Sequence, residues 1–528
     1  MNVRVIYLDI MRPFAESVLQ GGNVRNGPSA NEEWIYNSPI HSNVEAKLRQ
    51  LLVKLGDEER ILGIQVCAYK DGEVVIDTAA GMLGRYDPRP VQPDSLFPVF
   101  SVSKGITAGM LHWLVDKGKL KFEETISNIW PEFGAHGKDQ IKVHHVLNHT
   151  SGLHNAMAGI SKEDPLLMSD WDECLNRIAS SIPETEPGRE QLYHFISFGW
   201  LCGGIMEHAS GKKFQEILNE AIVCPLNIEG EMYIGIPPGV ESRLATLTVD
   251  MQDVNLLSTN ANRPELPSSF QPSDIIQSLR TVPALFNLLN IRRAIIPAAN
   301  GHCSARALAR YYAALATGGV IPPSNALHSS EPPLGSHPHI PRFPSLKKRS
   351  KKKANIIGRV DPRKGRTKKD SDKDYVRIPS KVTTSTNSGA TSSTGYLNGN
   401  VNQHQEDNKI SKMFENPKVH DAFLGLGEYE HLVLPEGKFG LGFRRFSSSD
   451  GSLTSFGHSG MGGSTGFCDI KHNFAIAVTL NKMSLGSVTK RIVELVCTEL
   501  NIPVPIDFEI AGERGADIQK VLGKAVIN

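Results

Sequence analysis

The sequence predicts an α+β fold, and three observations carry that expectation. Strand patterns stand near both ends of the folded part, in "GIQVCAYKDGEVVIDTAAG" (63–81) and "TGFCDIKHNFAIAVTLNKM" (465–483). The long stretch between Gly105 and Asn227 is mostly of helical period. Strands at both ends with helices between imply one sheet assembled from distant parts of the chain.

The elements follow in order. At 528 residues the chain exceeds one ordinary domain of roughly 100 to 200 residues, so a large core with additions is expected. Residues 1–40 read as an N-terminal extension and linker: "VRVIYLDI" begins without a cap or turn signal, as the tail of something longer would, and 21–40 are rich in Gly, Asn, Ser and Pro. The body opens with "NVEAKLRQLLVKLGDEERI", helical through Val44, Leu48, Leu51, Leu52 and Leu55. The first two strand runs meet at Asp71-Gly72, a hairpin signal, and loops at "EFGAHGKDQ" and "NHTSGLHNAM" break the helical section. The first part of the body runs over 41–325. Residues 326–412 lack periodic apolar positions and are dominated by Pro, Ser, Thr, Asn and Lys, so a disordered basic and polar insertion is expected there. The second part, 413–505, ends in a helix with Val488, Ile492 and Val496 on one stripe, and 506–528 form a tail.

Composition narrows the function classes. With 57 basic and 56 acidic residues the net charge is +1, so no global field favours nucleic acid or an anionic membrane. The insertion's cluster of Lys347, Lys348, Arg349, Lys351, Lys352 and Lys353 reads first as a solvated charge run, with a nuclear address or a polyanion contact as the second reading. Seven scattered cysteines, none in a C-x-x-C pair, argue against a disulfide framework or a zinc site. No apolar run approaches the roughly 20 residues of a membrane span. An intracellular, soluble protein is expected, with no cofactor.

"FSVSKGITAGM" (Phe100–Met110) is where chemistry concentrates. A serine hydroxyl is a weak nucleophile and needs a base in hydrogen-bond reach and donors for the oxyanion. If a helix begins near Ser101, Lys104 lies three residues on along the same face, at the end where free amides and the helix dipole favour negative charge. That dipole, with burial, lowers the lysine pKa. Ser103 points elsewhere. By itself the stretch is equally a helix cap with a hydrated lysine.

Two distant stretches decide otherwise. "EPGREQLYHFISFGWL" holds Tyr193 shortly after Pro187-Gly188, and "FGHSGMGGSTGF" holds His458-Ser459-Gly460 before a glycine-rich strand. Together with S-x-x-K they resemble the three-part signature of penicillin-recognising serine hydrolases, and "VLNHTSGLH" (146–154) resembles a loop pattern of that superfamily. The likeness is to the class C branch with its serine esterases and beta-lactamase-related proteins. It implies a beta-lactamase/transpeptidase-like fold, an antiparallel sheet flanked by helices plus a helix-rich subdomain. The first 20 residues resemble the end of a UbiB-type atypical kinase, a family fused to such hydrolases in plants. No kinase motif is present, so no kinase activity is expected.

The resemblance implies roles residue by residue. Ser101 attacks a carbonyl carbon to form an acyl-enzyme, while Lys104 and Tyr193 share the proton work, the tyrosine's phenolate character being maintained by the lysine charge. Either is the base. The backbone N–H groups of Ser101 and Met461 form the oxyanion hole, with Gly460, Gly462 and Gly463 where backbone approaches substrate. His458 stands where beta-lactamases usually carry a lysine for the drug's carboxylate, and Phe195 where they carry an asparagine for its amide. His458 is counted with Ser101, Lys104 and Tyr193 among the catalytic residues, and Ser459, Gly460, Met461 and Phe195 among those that bind the oxyanion or substrate. A neutral imidazole and an apolar ring favour a small or apolar ester over an anionic lactam. The alternatives are an amide hydrolase of beta-lactamase or D-aminopeptidase type and a non-catalytic scaffold. His144, His145 and His149 are read as loop-fixing rather than metal-binding, Phe198 and Trp200 as core, and Cys468 as a small apolar filler.

Overall fold

The computed structural model describes residues 34–159, 164–249, 281–323, 331–337, 411–448, 451–484 and 486–508. They belong to one compact unit, Met1–Ile340 with Ile410–Asn528, whereas a second unit, Pro341–Lys409, lies outside the described residues with its basic cluster. So does the kinase-like stretch of the first 20 residues. Among the described residues, no helix is long and apolar enough to cross a membrane.

Helix α1 (Asn43–Asp57) starts where Ser42 accepts the Glu45 N–H, and buries Val44, Leu48, Leu52 and Leu55. β1 (Gly63–Lys70) and β2 (Glu73–Gly84) join through Asp71 and Gly72, both at positive φ (54° and 85°), the geometry that suits a two-residue hairpin. β3 (Asp87–Pro90) and β4 (Phe97–Phe100) follow, then α2 (Val102–Asp116), α3 (Val143–Leu147), α4 (Trp171–Ser180) and α5 (Ser197–Ser210). After β5 (Met232–Ile234), β6 (Thr248–Val249) and β7 (Gly301–Cys303) comes α6 (Ala305–Ala316). The last part holds α7 (Val419–Leu424), β8 (Phe439–Gly440), β9 (Phe443–Phe446), β10 (Ser455–Ser459), β11 (Thr465–Asp469), β12 (Phe474–Leu480), β13 (Lys482–Met483) and α8 (Ser487–Glu499).

Eight strands form one antiparallel sheet in the order β3-β2-β1-β12-β11-β10-β9-β8, with Val66 opposite Val478. The expected α+β arrangement, one sheet drawn from both ends, is what the chain adopts. Side chains alternate along β12: Phe474, Ile476, Val478 and Leu480 join α1 and α8 in one core, while Ala475 and Ala477 face the other. β4, β7 and β5 form a separate antiparallel sheet, and β6 pairs with β13 in parallel.

The small inner face of the main sheet admits α6, every residue of which is buried. Its two tyrosines wedge between sheet and α2. A Cβ at Gly466 would meet the Tyr312 ring at 2.4 Å, and one at Gly109 of α2 would meet the Tyr311 hydroxyl at 2.0 Å. That hydroxyl donates to the Gly105 carbonyl at 2.9 Å. Glycine at these sites is therefore a packing requirement.

Three boundaries are corrected. The stretch Trp34–Tyr36, read as linker, packs on the body: Ile35 bridges Ala80 and Tyr36 N–H donates to Ala79 O. Residues 331–337, read as insertion, reach polar partners on the body: His337 Nε2 lies 3.3 Å from an Asp94 carboxylate oxygen and Tyr36 donates to the Glu331 carbonyl. Phe508, read as tail, is buried against Phe467 and Phe446. In each case an aromatic or charged side chain inside a polar-looking segment finds a partner that periodicity does not reveal.

Gly109→Ala is expected to lower stability by about 1–3 kcal/mol, the usual range for overpacking, as read from the denaturant midpoint. Tyr311→Phe removes the oxygen that the new methyl meets. The double variant should lose less than the sum of the two singles, and strict additivity would show that this approach is not the cause.

Candidate active site

β4 turns into α2 through Phe100, which sits at φ +47°, a left-handed conformation that costs a non-glycine residue about 1–2 kcal/mol. The turn places Ser101 at the start of α2 with its side chain making no cap hydrogen bond. The cap reading of this serine is thereby discarded. Lys104, on the first turn, is fully buried, and its Nζ lies 3.2 Å from Ser101 Oγ, 2.8 Å from the Phe195 carbonyl and 3.0 Å from the Ala298 carbonyl. Burial pushes its pKa down to about 7. A neutral amine has two N–H bonds and one lone pair. With both carbonyls accepting, the lone pair is left for the Ser101 hydroxyl.

Tyr193 comes from an extended segment held by the His149–Gly152 loop. Leu192 N–H donates to the His149 carbonyl, His194 N–H to His149 Nδ1 at 3.1 Å, and Gly188 N–H to the Thr150 carbonyl. His149 itself adopts φ +60°, just beyond α3, so it does not share a helical face with His145. His144 bonds the Leu432 carbonyl and His145 accepts the Lys142 N–H, so each of the three histidines ties down backbone. Among the described residues, no group of three or more His, Cys, Asp or Glu is placed to hold a metal ion.

The Tyr193 ring stacks on Phe439 (centroids 5.6 Å apart) and meets Phe195 edge-on at 4.9 Å. Lys104 Nζ lies 4.8 Å from its centroid. Burial around the hydroxyl raises the tyrosine pKa above the ordinary phenol value, and a hydrogen bond with the Ser101 side chain opposes that only in part. Burial of the tyrosine itself therefore favours the phenol over the expected phenolate.

The third segment ends β10. A Cβ on Gly460 would lie 2.3 Å from the Val99 carbonyl, so this backbone abuts the strand end that leads to Ser101. Gly462 is pressed by Met483, and Gly463 by Ser484 and Thr489. At all three glycines the Cβ direction is filled by the protein's own atoms, so close packing within the protein also requires glycine there. Ser459 Oγ pairs with Thr465 Oγ1 at 3.0 Å. His458 is buried, its Nδ1–H donating to the Ser459 carbonyl at 2.9 Å while Nε2 has no partner. Burial first, and then nearby Lys104, pushes its pKa down to about 3, so the imidazole is neutral. Its ring stands 6.2 Å from that of Tyr193. Phe195 and Met461 are 50% and 41% exposed, two apolar side chains left at the surface by the tyrosine and H-S-G segments.

Ser101, Lys104 and Tyr193 are thus brought together, with Phe195 contributing a carbonyl as well as a ring. Ala298 and Phe439 escaped sequence reading, whereas His149 fixes its loop as expected. Ala298 acts only through its backbone, which leaves no mark on residue type. Phe198 and Trp200 are fully buried core, as expected.

Comparison with known proteins agrees with this geometry. Residues 48–344, more than half of the chain, match the family model described as Beta-lactamase. The chain is 34% identical over 268 residues to the esterase/beta-lactamase LipL of Mycobacterium tuberculosis, a match spanning 50% of this chain and 60% of that protein. It is 28% identical over 211 residues to the esterase EstB of Burkholderia gladioli, covering 37% and 53%. The chain therefore spans little more than half the length of these curated relatives. In fold it is similar to a penicillin-binding protein homologue from Caulobacter crescentus, with a TM-score of 0.58 at 24% identity over 88% of this chain and 98% of the other. With S-x-x-K on a helix start, a tyrosine beside it and H-S-G on the neighbouring strand, this chain belongs to the beta-lactamase family.

Proposed function

We propose that the protein is a serine hydrolase that cleaves a small ester through an acyl-enzyme on Ser101. One observation carries the reading: the buried Lys104 amine lies within hydrogen-bond reach of Ser101 Oγ, and two carbonyls occupy its N–H groups. Lys104 takes the Ser101 proton as Oγ attacks the carbonyl carbon, and the resulting ammonium is met by those carbonyls and by the Tyr193 ring face. The oxyanion is received by the Ser101 and Met461 N–H groups. On collapse the C–O bond to the leaving alkoxide breaks. The neutral Tyr193 hydroxyl donates its proton to that oxygen and is refilled from Lys104. Water then repeats the sequence in reverse to release the acid.

Ester chemistry is favoured over lactam chemistry by what faces the substrate. A neutral His458 supplies no charge for a carboxylate, and the exposed Phe195 and Met461 side chains suit an apolar group. The names of LipL and EstB point to esters as well, while LipL's double name keeps amide cleavage as the second reading. An intracellular, soluble setting is part of the same reading.

A fluorophosphonate probe should label the wild-type protein, and Ser101→Ala should abolish both labelling and turnover of a short-chain nitrophenyl ester. Folded protein that stays unlabelled, or label that survives Ser101→Ala, would refute the reading and favour a non-catalytic scaffold. Because protonated Lys104 has no lone pair, kcat/KM for the ester should rise as pH passes upward through about 7. Lys104→Met should lower it at least ~10³-fold and abolish that limb. A flat wild-type profile between pH 5 and 9 would remove the lysine from the role. The nitrophenyl ester should outpace nitrocefin in kcat/KM by at least about tenfold, and the opposite order would select the amide reading.

A further inference from the structure

Ser103 is fully buried on the first turn of α2 and takes no part in the proton transfers above. Its hydroxyl nevertheless makes two bonds. Oγ donates to the Phe100 carbonyl at 2.5 Å and accepts the Gly301 N–H at 2.7 Å. The first partner belongs to the left-handed residue that aims Ser101. The second closes a strap, residues 297–301, that runs beside α2. Thr107 Oγ1 donates to the Pro297 carbonyl at 2.9 Å at one end of the strap, and Lys104 Nζ to the Ala298 carbonyl within it.

The strap has little slack. A Cβ on Gly199 of α5 would lie 2.4 Å from Ala298 N, and one on Gly301 would lie 2.7 Å from Ser103 Oγ. Strap, helix and Phe100 turn are in mutual contact, so a change at one partner is transmitted to the others.

We infer that Ser103 is a positioning residue for ester hydrolysis, one hydroxyl coupling the backbone turn that aims Ser101 to the carbonyl that orients the Lys104 amine. The inference rests on Ser101 and Lys104 being nucleophile and base. Without the hydroxyl, the Phe100 carbonyl and Gly301 N–H lose their partner in a dry interior, where unpaired polar groups are costly and draw in water or move. Either response loosens Phe100 and the strap together. Lys104 then regains solvation, and its pKa climbs back toward that of an ordinary lysine.

The other titratable groups facing Lys104 are Cys202 on α5, His458 on β10, and His149, His194 and Tyr193 in the tyrosine segment and its loop. Burial keeps the cysteine and tyrosine protonated and the three histidines neutral. None of them titrates near neutrality, so an acid limb there reports on Lys104.

The test uses the full chain as wild type, Ser103→Ala and Ser103→Thr, with rates of fluorophosphonate labelling at Ser101, kcat and KM for the nitrophenyl ester, and melting temperatures. Ser103→Ala should be labelled about 10- to 100-fold more slowly, with kcat down by a similar factor and KM within about twofold. Its acid limb should move to higher pH. Ser103→Thr, which keeps the hydroxyl, should recover most of the loss. Folded Ser103→Ala with wild-type labelling and an unmoved limb overturns the inference, as does a stable Ser103→Thr no better than alanine. Should Ser103→Ala melt below assay temperature, Thr107→Val frees the other end of the strap: a raised limb supports the coupling and an unmoved one overturns it. Wild-type protein that is not labelled at Ser101 overturns the parent reading and this inference with it.

Discussion

A single dry amine organises this molecule. Lys104 can hold a lone pair near neutral pH only if water is kept from it, and it can be buried only if its N–H groups find acceptors. The carbonyls of Phe195 and Ala298 meet both conditions, and they come from segments about 100 residues apart. The tyrosine segment and the 297–301 strap must therefore both dock on the first turn of α2 before the site exists. The nearby phenol and imidazoles are driven to their neutral forms by the same burial. Reactivity and desolvation here have one cause.

The core is built to make that docking rigid. α6 lies wholly buried between the sheet and α2, and its tyrosines reach glycines on both sides. The main sheet can present a small inner face because β12 alternates alanine with large apolar residues, which fill the opposite core with α1 and α8. The position of α2 is thus set by contact on several faces rather than by its ends. β10 approaches from the sheet through Gly460, at contact distance from the backbone that precedes Ser101. Close packing is what turns four separate chain segments into one cleft.

The proposed preference for an uncharged ester rests on the electrostatics that remain. Burial holds the His458 imidazole neutral, and the exposed side chains nearby include a phenylalanine ring and a methionine. A fixed positive charge at His458 would be opposed by the same desolvation that deprotonates Lys104, so carboxylate recognition and a dry base compete for the site. On the proposed reading, the histidine resolves that competition in favour of uncharged ligands.

Much was legible in the sequence because it depends on local pattern. The hairpin at Asp71-Gly72, the stripes of α1 and α8, the alternating strands and the three motifs are each written within a few neighbouring residues, and they determined the fold class and the family and singled out Ser101, Lys104 and Tyr193 as candidates. Polar composition misled at Trp34–Tyr36, 331–337 and Phe508, where one side chain with a distant partner outweighs its surroundings. Of the charge states, the lowered lysine pKa was expected from the sequence but the tyrosine's was not: burial, a property of the assembled core, raises the Tyr193 pKa and favours the phenol. Ser103 looked like a bystander since its two partners are a carbonyl three residues back and an N–H almost two hundred residues on. Residue type and spacing decided which groups this protein brings to its chemistry; tertiary packing alone decided their protonation, their orientation and the backbone atoms that hold them, because desolvation and main-chain hydrogen bonds have no signature in side-chain identity.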